Sequence, residues 1–74
     1  MIARPSSSKL SANALRRALD YIESNLAHDL AIHEVAGILS MSAGHFAHAF
    51  KSSMGVAPHR FVVERRVELA KAML

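Results

Sequence analysis

The stretch from Met41 to Arg66, MSAGHFAHAFKSSMGVAPHRFVVERR, decides how this chain folds. A short helix is expected to end just before it, at Ser40. A second helix opens with Ser42 as its cap and stops at Gly55, and Pro58 opens a third that carries the pair Arg65–Arg66. Two helices meeting across a tight turn, followed by a connecting helix, is therefore the plan the sequence writes locally. Each boundary has a chemical reason. A serine hydroxyl can accept a bond from an unpaired N–H at a helix start. Glycine tolerates the left-handed conformation at a helix end. Proline lacks the N–H that would be unpaired in a first helical turn.

Upstream of that stretch, Leu15, Leu19, Ile22 and Leu26 recur at steps of four, three and four, with Ala18 beside them. This is one apolar stripe of an amphipathic helix, predicted from about Ser11 to Ala27 with Ser11 or Asn13 as its cap. Arg16, Arg17, Asp20 and Glu23 face away, and Arg16–Asp20 can pair at i,i+4. Leu30 falls in the following loop and is expected to close the bottom of the core. A second helix is predicted from about Ile32 to Ser40, burying Ile32, Val35, Ala36 and Leu39. Gly37 weakens it by about 1 kcal/mol relative to alanine. Met41 is placed to plug the angle between this helix and the next.

The third helix, Ala43 to about Met54, turns Phe46, Ala49 and Phe50 inward and leaves Gly44, His45, Ala47, His48 and Lys51 pointing elsewhere. In the fourth, from Pro58, the residues Phe61, Val62, Leu69, Ala70 and Met73 are expected to reach the core. Its pattern runs to Leu74 with no stop signal. Neither a strand pattern nor an internal repeat is present, so the predicted class is all-α.

The chain has 74 residues, enough for one domain with a small core. It has no cysteine, which removes disulfides and thiolate metal sites and fits a reducing cytoplasm. No apolar run approaches the ~18 residues of a membrane span, so no membrane partner is expected. The opening MIARPSSSKL lacks the apolar core of a secretory signal. Residues 1–10 are polar and without period. They read as a disordered linker or a cloning remnant, with residues 11–57 as the folded unit and 58–74 as a linking helix.

The net charge of +3 is unevenly spread. Residues 1–40 balance Arg4, Lys9, Arg16 and Arg17 against Asp20, Glu23, Asp29 and Glu34. Residues 41–74 set Lys51, Arg60, Arg65, Arg66 and Lys71 against only Glu64 and Glu68. The positive excess thus lies in the half with the paired helices, which suits a polyanion such as double-stranded DNA; an ordinary solvated basic surface reads the same way on charge alone.

A helix-turn-helix needs a small residue where its helices cross, a tight turn about four residues later, and apolar residues that lock a steep angle. Ala36, Ser40, and the set Val35, Leu39, Met41 and Phe46 stand at those offsets. The second helix of such a pair offers outward residues of its first turns to the major groove, and its free N–H groups can hold a phosphate.

The chain resembles the DNA-binding domain of the AraC/XylS family of bacterial transcription regulators. Ser42, His45–Phe46, Phe50–Lys51, Gly55, Pro58, Phe61, Arg66 and Ala70 stand in register with that family's pattern, and the likeness extends from about Leu15 to Leu74. The resemblance implies a homeodomain-like three-helix unit followed by a long connecting helix. It also implies a second helix-turn-helix unit and an N-terminal effector-binding or dimerisation domain, both expected to be missing, so that the fold is truncated. Base-edge positions fall at Gly44, Ala47 and His48, with His45 and Lys51 near the backbone. Ser42 is a helix cap first and a phosphate contact second, and Arg65, expected to be exposed, completes the DNA-binding set. Gly44 and Ala47 have nothing to donate, Ala47 could touch only a thymine methyl, and His48 lacks the two-pronged reach of arginine. Low base specificity follows. RNA polymerase is a further partner that the resemblance allows for the full-length parent.

Phe46, Phe50 and Phe61 are core. Arg66 is open between a structural pair and a DNA contact. Arg60 and Lys71 read as solvated, and Arg16 and Arg17 as a solvated face that could reach a phosphate. His45 and His48, at i,i+3, could share a metal, but two ligands do not make a site and no carboxylate stands beside His59, so neither metal nor cofactor is expected. No paired nucleophile and base and no phosphate loop is present, so no enzyme is expected. A protein-interaction module is the competing class: Leu69, Met73 and Leu74 would give an apolar end to the last helix, open to self-association.

Overall fold

A computed structural model describes residues 9–74, and the part of the expected linker before Lys9 lies outside the described residues. Four helices follow one another: α1 (Ala12–Ser24), α2 (Ile32–Ile38), α3 (Ala43–Met54) and α4 (Pro58–Ala72). Among the described residues there is no strand, and no helix is long and apolar enough to cross a membrane.

Helix α1 starts where Ser11 accepts the N–H of Ala14 on its hydroxyl at 3.0 Å. It stops at Ser24, three residues before the expected end at Ala27. Asn25 ends it twice over, donating its backbone N–H to the Ile22 carbonyl at 3.1 Å and its side-chain amide to the Tyr21 carbonyl at 2.8 Å. This early turn swings Leu26 into the core as the chain leaves the helix. Ala18 and Ile22 are fully buried, while Leu15 and Leu19 pack at the margin together with Leu30.

Helix α2 stops at Ile38 rather than Ser40. Ser40 takes a left-handed φ of 58°, its N–H donates to the Gly37 carbonyl at 3.0 Å, and the N–H of Met41 donates to the Ala36 carbonyl at 2.9 Å. That is a Schellman closure, which satisfies two end carbonyls and turns the chain sharply. Arg17 from α1 donates to another, the Ile38 carbonyl, at 3.1 Å. Met41 then packs against the core inside the angle, as its position in the sequence suggests.

Helix α3 keeps the predicted bounds. Ser42 accepts the N–H of His45 at 3.1 Å, and Gly55 closes the end at φ 85° with its N–H on the Lys51 carbonyl at 2.8 Å. The core joins Ala18, Ile22, Leu26, Val35, Ala36, Phe46, Phe50 and Val62. The rings of Phe46 and Phe50 lie 5.5 Å apart, and Phe50 meets Phe61 edge-on, also at 5.5 Å, so an aromatic relay ties α3 to α4.

Pro58 opens α4 and is buried, Val62 is buried, and Phe61 is half-buried. The expectation that Leu69, Ala70 and Met73 reach the core is not met. Every residue after Arg65 is exposed, with Leu69 at 40% and Met73 at 77% of their full area. The shared core ends at Val62, so the apolar side chains of α4 beyond Arg65 have nothing from α1, α2 or α3 to bury against. The predicted Arg16–Asp20 pair does not form either. Among the described residues the ion pairs are Arg60–Glu64, Arg65–Glu23 and Arg65–Glu68.

Candidate nucleic-acid interface

The inward side of α3 is committed to Phe46, Ala49 and Phe50. At 3.6 residues per turn, Gly44, His48 and Lys51 then fall on the opposite crest, with His45 and Ala47 on its two flanks. Gly44, His45, His48 and Lys51 are exposed and Ala47 is half-buried. None of the three exposed side chains, those of His45, His48 and Lys51, is needed to fill the core. Ser42 is exposed as well, but its hydroxyl already holds the N–H of His45. The remaining free N–H groups of the first turn and the helix dipole make this end electropositive.

Five of the seven residues singled out for DNA contact therefore lie on the outer side of α3, namely Gly44, His45, Ala47, His48 and Lys51, while Ser42 caps its N-terminal end. Arg65 stands apart. It lies on α4, where its Nε and Nη2 donate to the two carboxylate oxygens of Glu23 on α1 at 2.6 and 2.9 Å, and its Nη1 to Glu68. The bond from Arg65, more than its bare charge, holds the Glu23 carboxyl below its ordinary range. Glu23, with Glu68, raises Arg65 above the usual guanidinium value.

Arg66, open in the sequence, is a clamp. Its Nε donates to the Leu26 carbonyl at 3.0 Å and its Nη2 to the His28 carbonyl at 2.8 Å. It thereby serves carbonyls just beyond α1, where helix-end groups lack partners of their own. Arg17 does the same for α2, immediately before the turn that aims α3. Sequence reasoning missed Arg17 in this role. The general affinity of cationic side chains for helix C-termini was the available signal, but the acceptor lies 21 residues away.

The capped α3, presented across the Ser40 turn with its outer face unspent, defines a DNA-binding helix-turn-helix. Residues 22–62 match the family model described as bacterial regulatory helix-turn-helix proteins, AraC family, which is more than half of the chain. The chain belongs to that family. The match lies inside the expected span from Leu15 to Leu74 and leaves α4 beyond Val62 outside it.

The chain is similar to the probable transcriptional regulator LumQ of Photobacterium leiognathi, 33% identical over 55 residues that make up 74% of this chain and 22% of that protein. It is also similar to an uncharacterized HTH-type transcriptional regulator of Staphylococcus aureus (strain COL), 32% identical over 62 residues, 84% of this chain and 8% of that protein. The chain thus spans at most about a fifth of the length of these relatives. No solved structure matches. The family is one of transcription regulators and not an enzyme family.

Proposed function

We propose that this chain is the sequence-reading part of an AraC-type transcription regulator and that α3 enters the major groove of double-stranded DNA. The observation that carries the reading is the unspent outer face of α3, held by a cap at each end, in a chain of this family. In this reading His48 donates to a purine N7 or a guanine O6, Ala47 and Gly44 meet base edges, and His45, Lys51 and the α3 N-terminus beyond Ser42 take phosphates. Arg65 reaches a phosphate only by giving up Glu23 or Glu68, so its share of the affinity is small. Residues 11–57 form the reading unit and α4 is the linking helix. The protein acts in the bacterial cytoplasm without catalysis of its own, and the full-length regulator addresses RNA polymerase.

Fluorescence anisotropy with mixed-sequence duplex at about 50 and 200 mM salt tests this. Non-specific binding of order 10⁻⁴–10⁻⁶ M that weakens steeply with salt is expected, with a log-log slope near −0.9 per phosphate neutralised. His48→Ala and Lys51→Ala should each weaken it. Unaltered affinity in both variants would show that another face is used, and absence of binding at 50 mM would overturn the reading.

A second reading has its own observation. Val63, Val67, Leu69, Met73 and Leu74 are all exposed on or just beyond α4, at 40% or more of their full area. Association through that surface would make the chain an interaction module, and it would not weaken with salt.

A further inference from the structure

Helix α2 carries α3 across the Ser40 turn, yet it is the element least able to hold its own shape. It has 7 residues, and a helix shorter than about 12–15 residues is marginal by itself. No side chain caps its start at Ala31, and Gly37 weakens it from within. Its end is closed by Ser40, a residue with a side chain at a left-handed φ of 58°. Helices α1 and α3 are longer, at 13 and 12 residues, and a serine hydroxyl caps each start. The support that α2 lacks comes from α1. Arg17 donates from Nη2 to the Ile38 carbonyl at 3.1 Å, and among the described residues no backbone N–H serves that oxygen. Nor, among the described residues, does a carboxylate pair with Arg17. Its side chain is exposed and adds nothing to the core.

We infer that Arg17 is a positioning residue for sequence reading: from α1 it pins the end of α2 in its closed turn and so fixes the angle at which α3 meets the bases. The inference rests on the proposed entry of α3 into the major groove. The pinned carbonyl adjoins the Gly37 and Ala36 carbonyls that accept the N–H groups of Ser40 and Met41, so one guanidinium completes the closure that those two bonds begin. A bond from a charged donor is stronger than one between neutral groups, which suits it to a short, strained end. Base edges are read by hydrogen bonds that demand narrow distances and angles, and these weaken when the helix tilts. Phosphates are held by long, flexible cationic side chains and by the helix dipole, which tolerate a tilt. Loss of the Arg17 bond therefore costs preference among sequences and leaves the general affinity for duplex in place.

The test separates preference from affinity. Duplexes are selected from a randomised pool on the unaltered chain at about 50 mM salt, and their affinity is compared with that of mixed-sequence duplex. Arg17→Met keeps the stem and removes the guanidinium. It should lose about fivefold or more of the preference, the worth of one well-placed base contact. Arg16→Met removes the same charge from the neighbouring exposed position and should keep the preference. The salt slope on mixed-sequence duplex should be the same in both variants. Ser40→Gly, which favours the left-handed closure, should restore the preference when added to Arg17→Met. Binding is read below the lowest melting midpoint, and Arg17→Gln, whose amide falls short of the carbonyl, takes the place of Arg17→Met should that variant not fold. A preference that survives the loss of the guanidinium overturns the inference alone. So does a uniform weakening with a salt slope shallower by about 0.9, the mark of a lost phosphate contact. A preference that Ser40→Gly does not restore overturns the action through the turn. A chain that binds duplex without preference, or not at all, overturns the sequence reading and this inference with it.

Discussion

Ser40 holds a φ of 58° without being glycine, at the position that closes α2 and directs the chain into α3. A side chain in the left-handed region crowds the following carbonyl, a strain of about 1 kcal/mol that glycine escapes. Ser40 is exposed, so its hydroxyl is not needed to satisfy anything inside. Ser40→Gly should therefore raise the stability to urea by about 0.5–1 kcal/mol, part of the relief being offset by the greater freedom of glycine in the unfolded chain. A lower midpoint would mean that serine is favoured there by a contact of its own. Glu23 makes a prediction of a different kind. Its carboxyl is held low in the folded state by Arg65, so the contribution to stability is fully present above the ordinary carboxylate value, about pH 4.5, and is lost as pH falls through the lowered folded value. Both partners are well solvated, which keeps the effect small and sensitive to salt. Glu23→Gln should lower the melting temperature near neutral pH in dilute buffer, and the difference should fade toward pH 2 and in 1 M salt. A gap that persisted in acid would assign the loss to packing instead of charge.

The aromatic relay gives α4 its direction. Phe50 is fully buried, touches Phe46 within α3 and reaches Phe61 on α4, so its loss would empty the corner where α3 meets α4. Truncating a buried phenylalanine costs about 3–5 kcal/mol, close to the whole stability of a domain this small. Phe50→Ala should abolish cooperative melting followed by circular dichroism, whereas the exposed His48→Ala should melt like the unaltered chain. At this scale the sequence is legible where the chemistry is local. Ser42, Gly55 and Pro58 bound α3 and α4 as expected, because a cap, a left-handed glycine and a first-turn proline act within a few residues. The ends of α1 and α2 were placed two to three residues late, since Asn25 and a left-handed Ser40 carry no such unambiguous signal. Arg17 and Arg66 could not be read as clamps because their acceptors lie 21 and 38–40 residues away along the chain. The five outer positions of α3 emerge from periodicity and resemblance together. The bonds that hold Arg65 depend on Glu23, 42 residues off, which no local pattern reveals.

The described residues build one core, and α4 outruns it. On α4, Phe61 and Val62 face the core, while Val63 and Val67 stand one turn apart on the far side, with Ala70 continuing their line and Leu74 following just beyond the helix end. Val63, Val67 and Leu74 are exposed at 45%, 48% and 103% of their full areas. A helix with apolar residues on both sides and a core on one of them leaves the other to water or to a second surface. The proposed DNA face, on α3, is a separate surface, so the two can be altered independently. Val67→Glu places a charge in the middle of the outer line without touching the buried Val62 or the clamps of Arg65 and Arg66. If that line drives self-association, sedimentation velocity of the unaltered chain will show a reversible dimer that grows with concentration and persists at 0.5 M salt, and Val67→Glu will remain a monomer. Mixed-sequence duplex should be bound alike by both forms at concentrations where each is monomeric, because no phosphate or base contact is assigned to Val67. An unaltered chain that stays monomeric up to millimolar concentration would remove the interaction reading and leave α4 only as the strut that carries the reading unit. Loss of DNA binding in Val67→Glu, with melting unchanged, would instead place α4 within the DNA-contacting surface and enlarge the interface beyond α3.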